Sequence, residues 1–209
     1  MIAFRNFEKY YDSRLIVKAN IELAEHFCWL KGGNGAGKST LLKSVTGLIP
    51  YSGNILVNDL NIRNDRMAYR QAVSYAEAEP LYAEFLTGSD LVAFYKDTRK
   101  AEGRQVDMLI DAMQVGSYLH QKVGAYSSGM LKKLSLVLAF IGRPQLIMLD
   151  EPFITIDTTG LEQLTALVKQ ALDADTTVWI TSHQDISHGV GMQPAMLQIK
   201  DSELVKAAI

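Results

Sequence analysis

The chain has 209 residues, 48% of them hydrophobic, with 21 Lys and Arg against 23 Asp and Glu. That is enough apolar material for one sizeable core, and the formal net charge of −2 leaves no broad basic field of the kind that holds nucleic acid. One cysteine, Cys28, excludes a disulfide within the chain and a cysteine-built zinc site.

Cys28 also predicts a reducing compartment. The opening residues Met1 to Asn6 lack a basic stretch followed by an apolar one, and no apolar run approaches the roughly 18 residues of a membrane span. The expectation is therefore a cytoplasmic chain that does not itself cross a bilayer.

Strands come first along the chain. Leu15, Val17, Ala19, Ile21 and Leu23 alternate with Ile16, Lys18, Asn20 and Glu22, the period of two that marks a sheet with one better-buried face. The apolar stretch Phe27-Cys28-Trp29-Leu30 follows, and then Gly32-Gly33-Asn34-Gly35-Ala36-Gly37-Lys38-Ser39, with Thr40 to Val45 continuing as a helix. That run fits G-x-x-x-x-G-K-[ST] at every fixed position and has the strand, loop and helix order its chemistry requires. Glycines let the backbone curl with its N–H groups toward a phosphate, and the helix N-terminus adds partial positive charge. Lys38 can reach the β and γ phosphates, and the Ser39 hydroxyl is placed to ligate Mg²⁺. A nucleoside triphosphate site is expected here.

Gly47 and Pro50 stop that helix, and Gly53 to Val57 begins another strand. From Asp90 to Leu138 the pattern turns helical: Val106, Leu109, Ile110 and Met113 recur at helical spacing before Gly116, and a further helix starts at Ser127 or just after it. Leu146 to Leu149, bounded by Pro144 and Asp150, suits a strand buried on both faces of a parallel sheet. Leu161, Leu164, Val168 and Leu172 share one helical face, and Thr176 to Thr181 returns as a strand. Met196 to Ile199 and Glu203 to Val205 flank Asp201-Ser202 as a hairpin. The β-α-β order predicts a doubly wound α/β core in which other lobes are insertions.

Asp150 ends the buried strand, where open α/β sheets bind ligands, and can hold Mg²⁺ opposite Ser39. Glu151 is placed to orient or deprotonate a water attacking the γ-phosphate. Tyr126-Ser127-Ser128-Gly129-Met130 opens the next-to-last predicted helix with a second anion-binding N-terminus. One chain with one triphosphate site has use for a second such end if it serves a neighbouring copy.

These motifs, in this order, make almost the whole chain resemble the nucleotide-binding subunit of ATP-binding-cassette (ABC) transporters. Gly32 to Ser39 looks like the family's Walker A, and Leu146 to Glu151 like its Walker B with the catalytic glutamate. Ser127-Ser128-Gly129 resembles the family signature, Asp157 the D-loop aspartate, and His183 the switch histidine that senses the γ-phosphate. Tyr11 is similar in position to the aromatic that stacks on adenine, although Tyr10 is adjacent and either could be strand packing.

The resemblance implies a RecA-like P-loop fold with a mostly parallel core, an antiparallel β subdomain and an inserted α-helical subdomain. The insertion would cover about 88–141, with about 1–87 and 142–209 forming the β subdomain and nucleotide-binding core. It implies ATP and Mg²⁺ held by Gly32 to Thr40, Ser39 and Asp150, with Lys38, Glu151 and His183 catalytic. It implies a homodimer or heterodimer of such subunits around two ATP molecules, a separate transmembrane permease, a place on the inner face of the membrane and no nucleic acid. Tyr126 to Met130, Leu86-Thr87-Gly88 and the end of the chain at Ile209 lean toward the small bacterial exporter-type subunits. The alternative is a soluble ABC-type ATPase acting as a mechanical switch on a nucleic-acid or ribosomal partner.

Two departures stand out. The signature usually reads Leu-Ser-Gly-Gly-Gln, whereas Tyr126, Ser128 and Met130 occupy three of the five places here. The Q-loop glutamine, expected near Tyr75 to Pro80, is missing: Ala78 takes its place, and Glu77 or Glu79 is a candidate to reach the metal through water. Nearby, Leu81 to Leu86 is an apolar loop whose Tyr82 and Phe85 are either interface anchors or packing for the helical lobe.

Overall fold

The computed structural model describes residues 1–182 and 190–207. Its strands are β1 (Ile2–Tyr11), β2 (Arg14–Leu23), β3 (Phe27–Lys31), β4 (Ser52–Val57), β5 (Val73–Ala76), β6 (Leu146–Asp150), β7 (Thr177–Thr181), β8 (Ala195–Lys200) and β9 (Glu203–Lys206). The helices are α1 (Lys38–Val45), α2 (Arg66–Ala72), α3 (Gly88–Thr98), α4 (Gly103–Ala112), α5 (Ser128–Phe140) and α6 (Thr158–Asp173). Among the described residues the strands form one sheet in the order β4-β1-β2-β9-β8-β3-β7-β6-β5.

From β8 to β5 every pairing is parallel. The apolar runs of β3, β6 and β7 are explained by burial on both faces, with successive residues pointing to opposite sides. Trp29, Ile147, Leu149, Val178 and Ile180 join a core under α3 to α6, while Cys28, Leu30, Leu146, Met148 and Trp179 join a second core under α1 and α2. The antiparallel strands β4, β1 and β2 are not a detached sheet. They continue the parallel one through a single parallel pair, Lys18 with Glu203, reinforced by a 2.8 Å bond from the Lys18 N–H to the Ser202 carbonyl.

A bulge in β1 between Phe4 and Phe7 puts Asn6 at φ 49, and Gly53 of β4 lies against it. A Cβ at Gly53 would sit 2.0 Å from the Asn6 carbonyl oxygen, so glycine is required there.

Two elements carried little sequence signal. The seven-residue α2, capped by the Asp65 carboxylate accepting from the Ala68 N–H, leads into the four-residue edge strand β5. Tyr75 and Ala76, expected within a loop, thus belong to a strand paired with β6. Residues 88–141 leave the sheet after β5 and return before β6, and α3 begins with a full capping box between Thr87 and Asp90.

Candidate functional site

The end of β3 and the start of α1 frame the Gly32 to Gly37 loop. Gly35 at φ 76 and Gly37 at φ 97 take the left-handed turns that curl it. Gly37 caps α1 with no side-chain acceptor, so the N–H groups of the first helical turn are available to an anion. Lys38 lies folded along the loop, its Nζ donating to the carbonyls of Gly32 at 2.7 Å and Gly33 at 3.3 Å.

This loop is one wall of a cavity of about 590 Å³, which Asp150, Glu151 and Ile154 close from the carboxyl end of β6. Of the sequence candidates, Tyr11, Gly33, Asn34, Gly35, Ala36, Gly37, Lys38, Ser39, Thr40, Asp150 and Glu151 all line it. Tyr11 lines it and Tyr10 does not. Gly32 stands just outside the lining and contributes its carbonyl to Lys38. His183 lies outside the described residues.

Neighbouring strand ends orient Asp150. Its Oδ1 accepts from Thr181 Oγ1 at 2.6 Å and its Oδ2 from the Tyr75 hydroxyl at 3.1 Å. Burial raises the Tyr75 phenol far above its ordinary value, and the Asp150 charge adds to this, so it remains a donor. Glu151 adopts φ 44, a left-handed conformation uncommon for a non-glycine residue. Its N–H is held by Thr181 Oγ1 at 2.8 Å, so one threonine orients both acidic residues. Sequence reasoning missed Thr181 and Tyr75, whose roles depend on the strand order.

The signature residues stand apart from this cavity. Ser127 caps α5, accepting from the Met130 N–H at 3.2 Å, and Ser128 is exposed at the first helical position. A Cβ on Gly129 would lie 2.9 Å from the Thr155 carbonyl oxygen, so glycine allows α5 to approach the loop after Glu151. Tyr126 is buried edge-on against Tyr118, its hydroxyl donating to the Tyr118 carbonyl at 2.7 Å. That packing accommodates an aromatic where the family has leucine. Asp157 also lies outside the cavity: it caps α6 through the Gly160 N–H at 2.7 Å and pairs with Lys133 of α5 at 3.2 Å. These two partners, the Gly160 N–H foremost, hold its carboxyl below the usual range.

The segment lacking the Q-loop glutamine is engaged elsewhere than expected. The Glu77 carboxylate pairs with Lys43 of α1 at 2.8 Å, and neither Glu77 nor Glu79 lines the cavity. Behind it lies a residue the sequence reading passed over. Lys132 of α5 is 1% exposed, with its Nζ on the carbonyls of Glu77 and Ala78, both at 2.9 Å, and of Asp150 at 3.1 Å. Burial pushes this ammonium down to about 8, against the opposing pull of Asp150, Glu151 and Glu79. The signal was its spacing: Lys132 shares a helical face with the buried Ser135, Leu136 and Ala139.

Residues 19–154 match the ABC transporter family. The chain belongs to this family. Among curated ABC relatives, the linearmycin resistance ATP-binding protein LnrL of Bacillus subtilis is 28% identical over 191 residues, covering 88% of this chain and 61% of LnrL. ABC transporter A family member 7 of Arabidopsis thaliana is 30% identical over 159 residues, covering 73% of this chain and 17% of that protein. The chain spans less than two thirds of the length of these relatives.

Solved ABC structures share the fold. An ATP-binding subunit of an ABC transporter superposes with a TM-score of 0.87 at 19% identity, covering 99% of this chain and 90% of the other. A dimeric ATP-binding cassette in a post-hydrolysis state, bound to ADP and Pi, superposes with a TM-score of 0.79 at 18% identity, covering 99% of this chain and 98% of the other. The mixed α/β fold expected from the motif order is therefore the fold of ABC ATPase subunits.

Proposed function

We propose that this chain is the ATP-binding and ATP-hydrolysing subunit of an ABC transporter, acting as a dimer beneath separate transmembrane subunits. The observation that carries the reading is the single cavity in which the Lys38 loop faces Asp150 and Glu151. ATP would lie with its phosphates along the α1 N-terminus and its base toward Tyr11, while Lys38 exchanges loop carbonyls for phosphate oxygens. Ser39 and Asp150 offer the hard oxygen donors that suit Mg²⁺, an ion that takes few protein ligands and several from water and phosphate. When bound, Mg²⁺ would neutralise charge on the β and γ phosphates. Glu151 would accept a proton from the attacking water, with its backbone fixed by Thr181. Ser127, Ser128 and Gly129, outside their own chain's cavity, would face the γ-phosphate held by the second subunit.

The first test is direct. Lys38→Ala should weaken binding of MgATP, because it deletes the charge paired with the phosphates. A fluorescent ATP analogue titrated into both proteins measures the difference, and equal affinities would refute the reading.

Among the described residues no helix is long and apolar enough to cross a membrane. A partner would supply the attachment in this reading. The apolar loop after the degenerate Q-loop supports this. Phe85 is 73% exposed and Leu81 91% exposed, while Tyr82 packs against the helical core. Exposure favours Phe85 as an interface anchor, and partial burial favours Tyr82 as packing for the helical lobe. Phe85→Glu should leave the melting temperature near wild type, since exposed positions typically change stability by about 0.5 kcal/mol or less. The same substitution should abolish recruitment to membranes carrying the transmembrane partner. A large fall in melting temperature would make Phe85 a packing residue instead.

A further inference from the structure

We infer that Lys132 is a positioning residue for hydrolysis: from α5 it gathers the carbonyls of Glu77, Ala78 and Asp150 onto one ammonium and so fixes where the end of β6 sits. The inference rests on the ATPase reading above and deepens it.

An ammonium has three donors, and here three carbonyls meet it at 2.9, 2.9 and 3.1 Å. Burying such a group is unfavourable unless its N–H groups are matched, and an apolar side chain of equal length would fill the space without that demand. The carbonyls come from two places. Glu77 and Ala78 follow β5 and precede the exposed Leu81 to Phe85 loop, and Asp150 ends β6 immediately before Glu151. Ser127, Ser128 and Gly129 lie one turn before Lys132, at the start of the same helix.

A second lysine grips the same segment from the opposite side. Lys43, on the helix that begins at Lys38, pairs with the Glu77 carboxylate at 2.8 Å while Lys132 takes the Glu77 carbonyl. The segment without its glutamine is therefore clamped between the phosphate-loop helix and the signature helix. A shift of α5 relative to the sheet pulls on the Lys132 bond to the Asp150 carbonyl, which couples the helix start to the strand end bearing Asp150 and Glu151.

The test compares Lys132→Met and Lys132→Gln with the unmodified full chain, reading kcat and KM for MgATP, affinity for a fluorescent ATP analogue, and melting temperature. A misplacement of about 1 Å in a catalytic constellation can cost about 10²-fold, and a loss of that order in kcat is expected for Lys132→Met. Affinity for the ATP analogue measured without Mg²⁺ should change by less than about threefold, because the phosphate loop itself is untouched. Lys132→Gln, which keeps two N–H donors, should recover much of the rate. Turnover of Lys132→Met equal to wild type would overturn the inference. So would a loss of kcat that tracks a loss of nucleotide affinity, or melting far below wild type in both variants, either of which would make Lys132 a support of the fold alone. An unmodified chain that neither binds nor hydrolyses ATP would instead overturn the functional reading, and the inference with it.

Discussion

Glu151→Gln should lower ATP turnover by roughly 10²–10⁴-fold, the range a general base contributes, equivalent to about 3–5 kcal/mol of barrier. Glutamine keeps the shape of the side chain but removes its charge and its ability to accept the water proton. Binding should survive, because Asp150, Ser39 and the Gly32 to Lys38 loop are all retained. The backbone should also survive: the Glu151 N–H bond to Thr181 Oγ1 at 2.8 Å, which the substitution leaves in place, supports the φ 44 turn. Bound ATP should therefore persist, and with it the ATP-bound dimer, which a phosphate-release assay paired with light scattering would detect. Turnover at the wild-type rate would remove Glu151 from the role and make His183 the leading candidate for positioning water.

The same residues show what a sequence can and cannot disclose. Gly32 to Ser39 was legible because its chemistry is local: glycine spacing, the lysine and the helix start all lie within one short run. Asp150 and Glu151 were legible because they follow directly on Leu146 to Leu149, a short apolar run bounded by Pro144 that suits a strand buried on both faces. The partners that orient them were not legible. Tyr75 reaches Asp150 across the β5–β6 pair, and Thr181 across the β6–β7 pair, contacts set by strand order rather than by spacing along the chain. Lys132 was passed over for a different reason: on a helix next to Lys133 it reads as a solvated charge, and its one clue in the sequence was the helical face it shares with Ser135, Leu136 and Ala139, which the packing of α5 against the sheet encloses. The edge strand β5, four residues long, offered too little alternation to be distinguished from a loop.

Ser128→Asp should block ATP-driven dimerisation while sparing the single subunit. Ser128 is exposed at the first helical position of α5, where a carboxylate is favourable toward the helix dipole by about 0.3–1 kcal/mol. The folded monomer should thus be as stable as wild type, or slightly more so, and its own cavity, which Ser128 does not line, should bind ATP normally. In a symmetric dimer the new charge would face the partner's γ-phosphate twice. Like charges opposed in an interface cost several kcal/mol; even about 2 kcal/mol at each of two sites weakens association by about 10³-fold. Gly129→Asp would be a poorer choice, because its Cβ would press within 2.9 Å of the Thr155 carbonyl oxygen in the same chain and disturb the loop after Glu151. Ser128→Asn isolates charge from size and should dimerise far better than Ser128→Asp. Light scattering with ATP in a Glu151→Gln background, where turnover cannot dissolve the dimer, compares the two. Equal dimerisation of the aspartate and asparagine variants would mean that this helix end does not meet a partner's nucleotide.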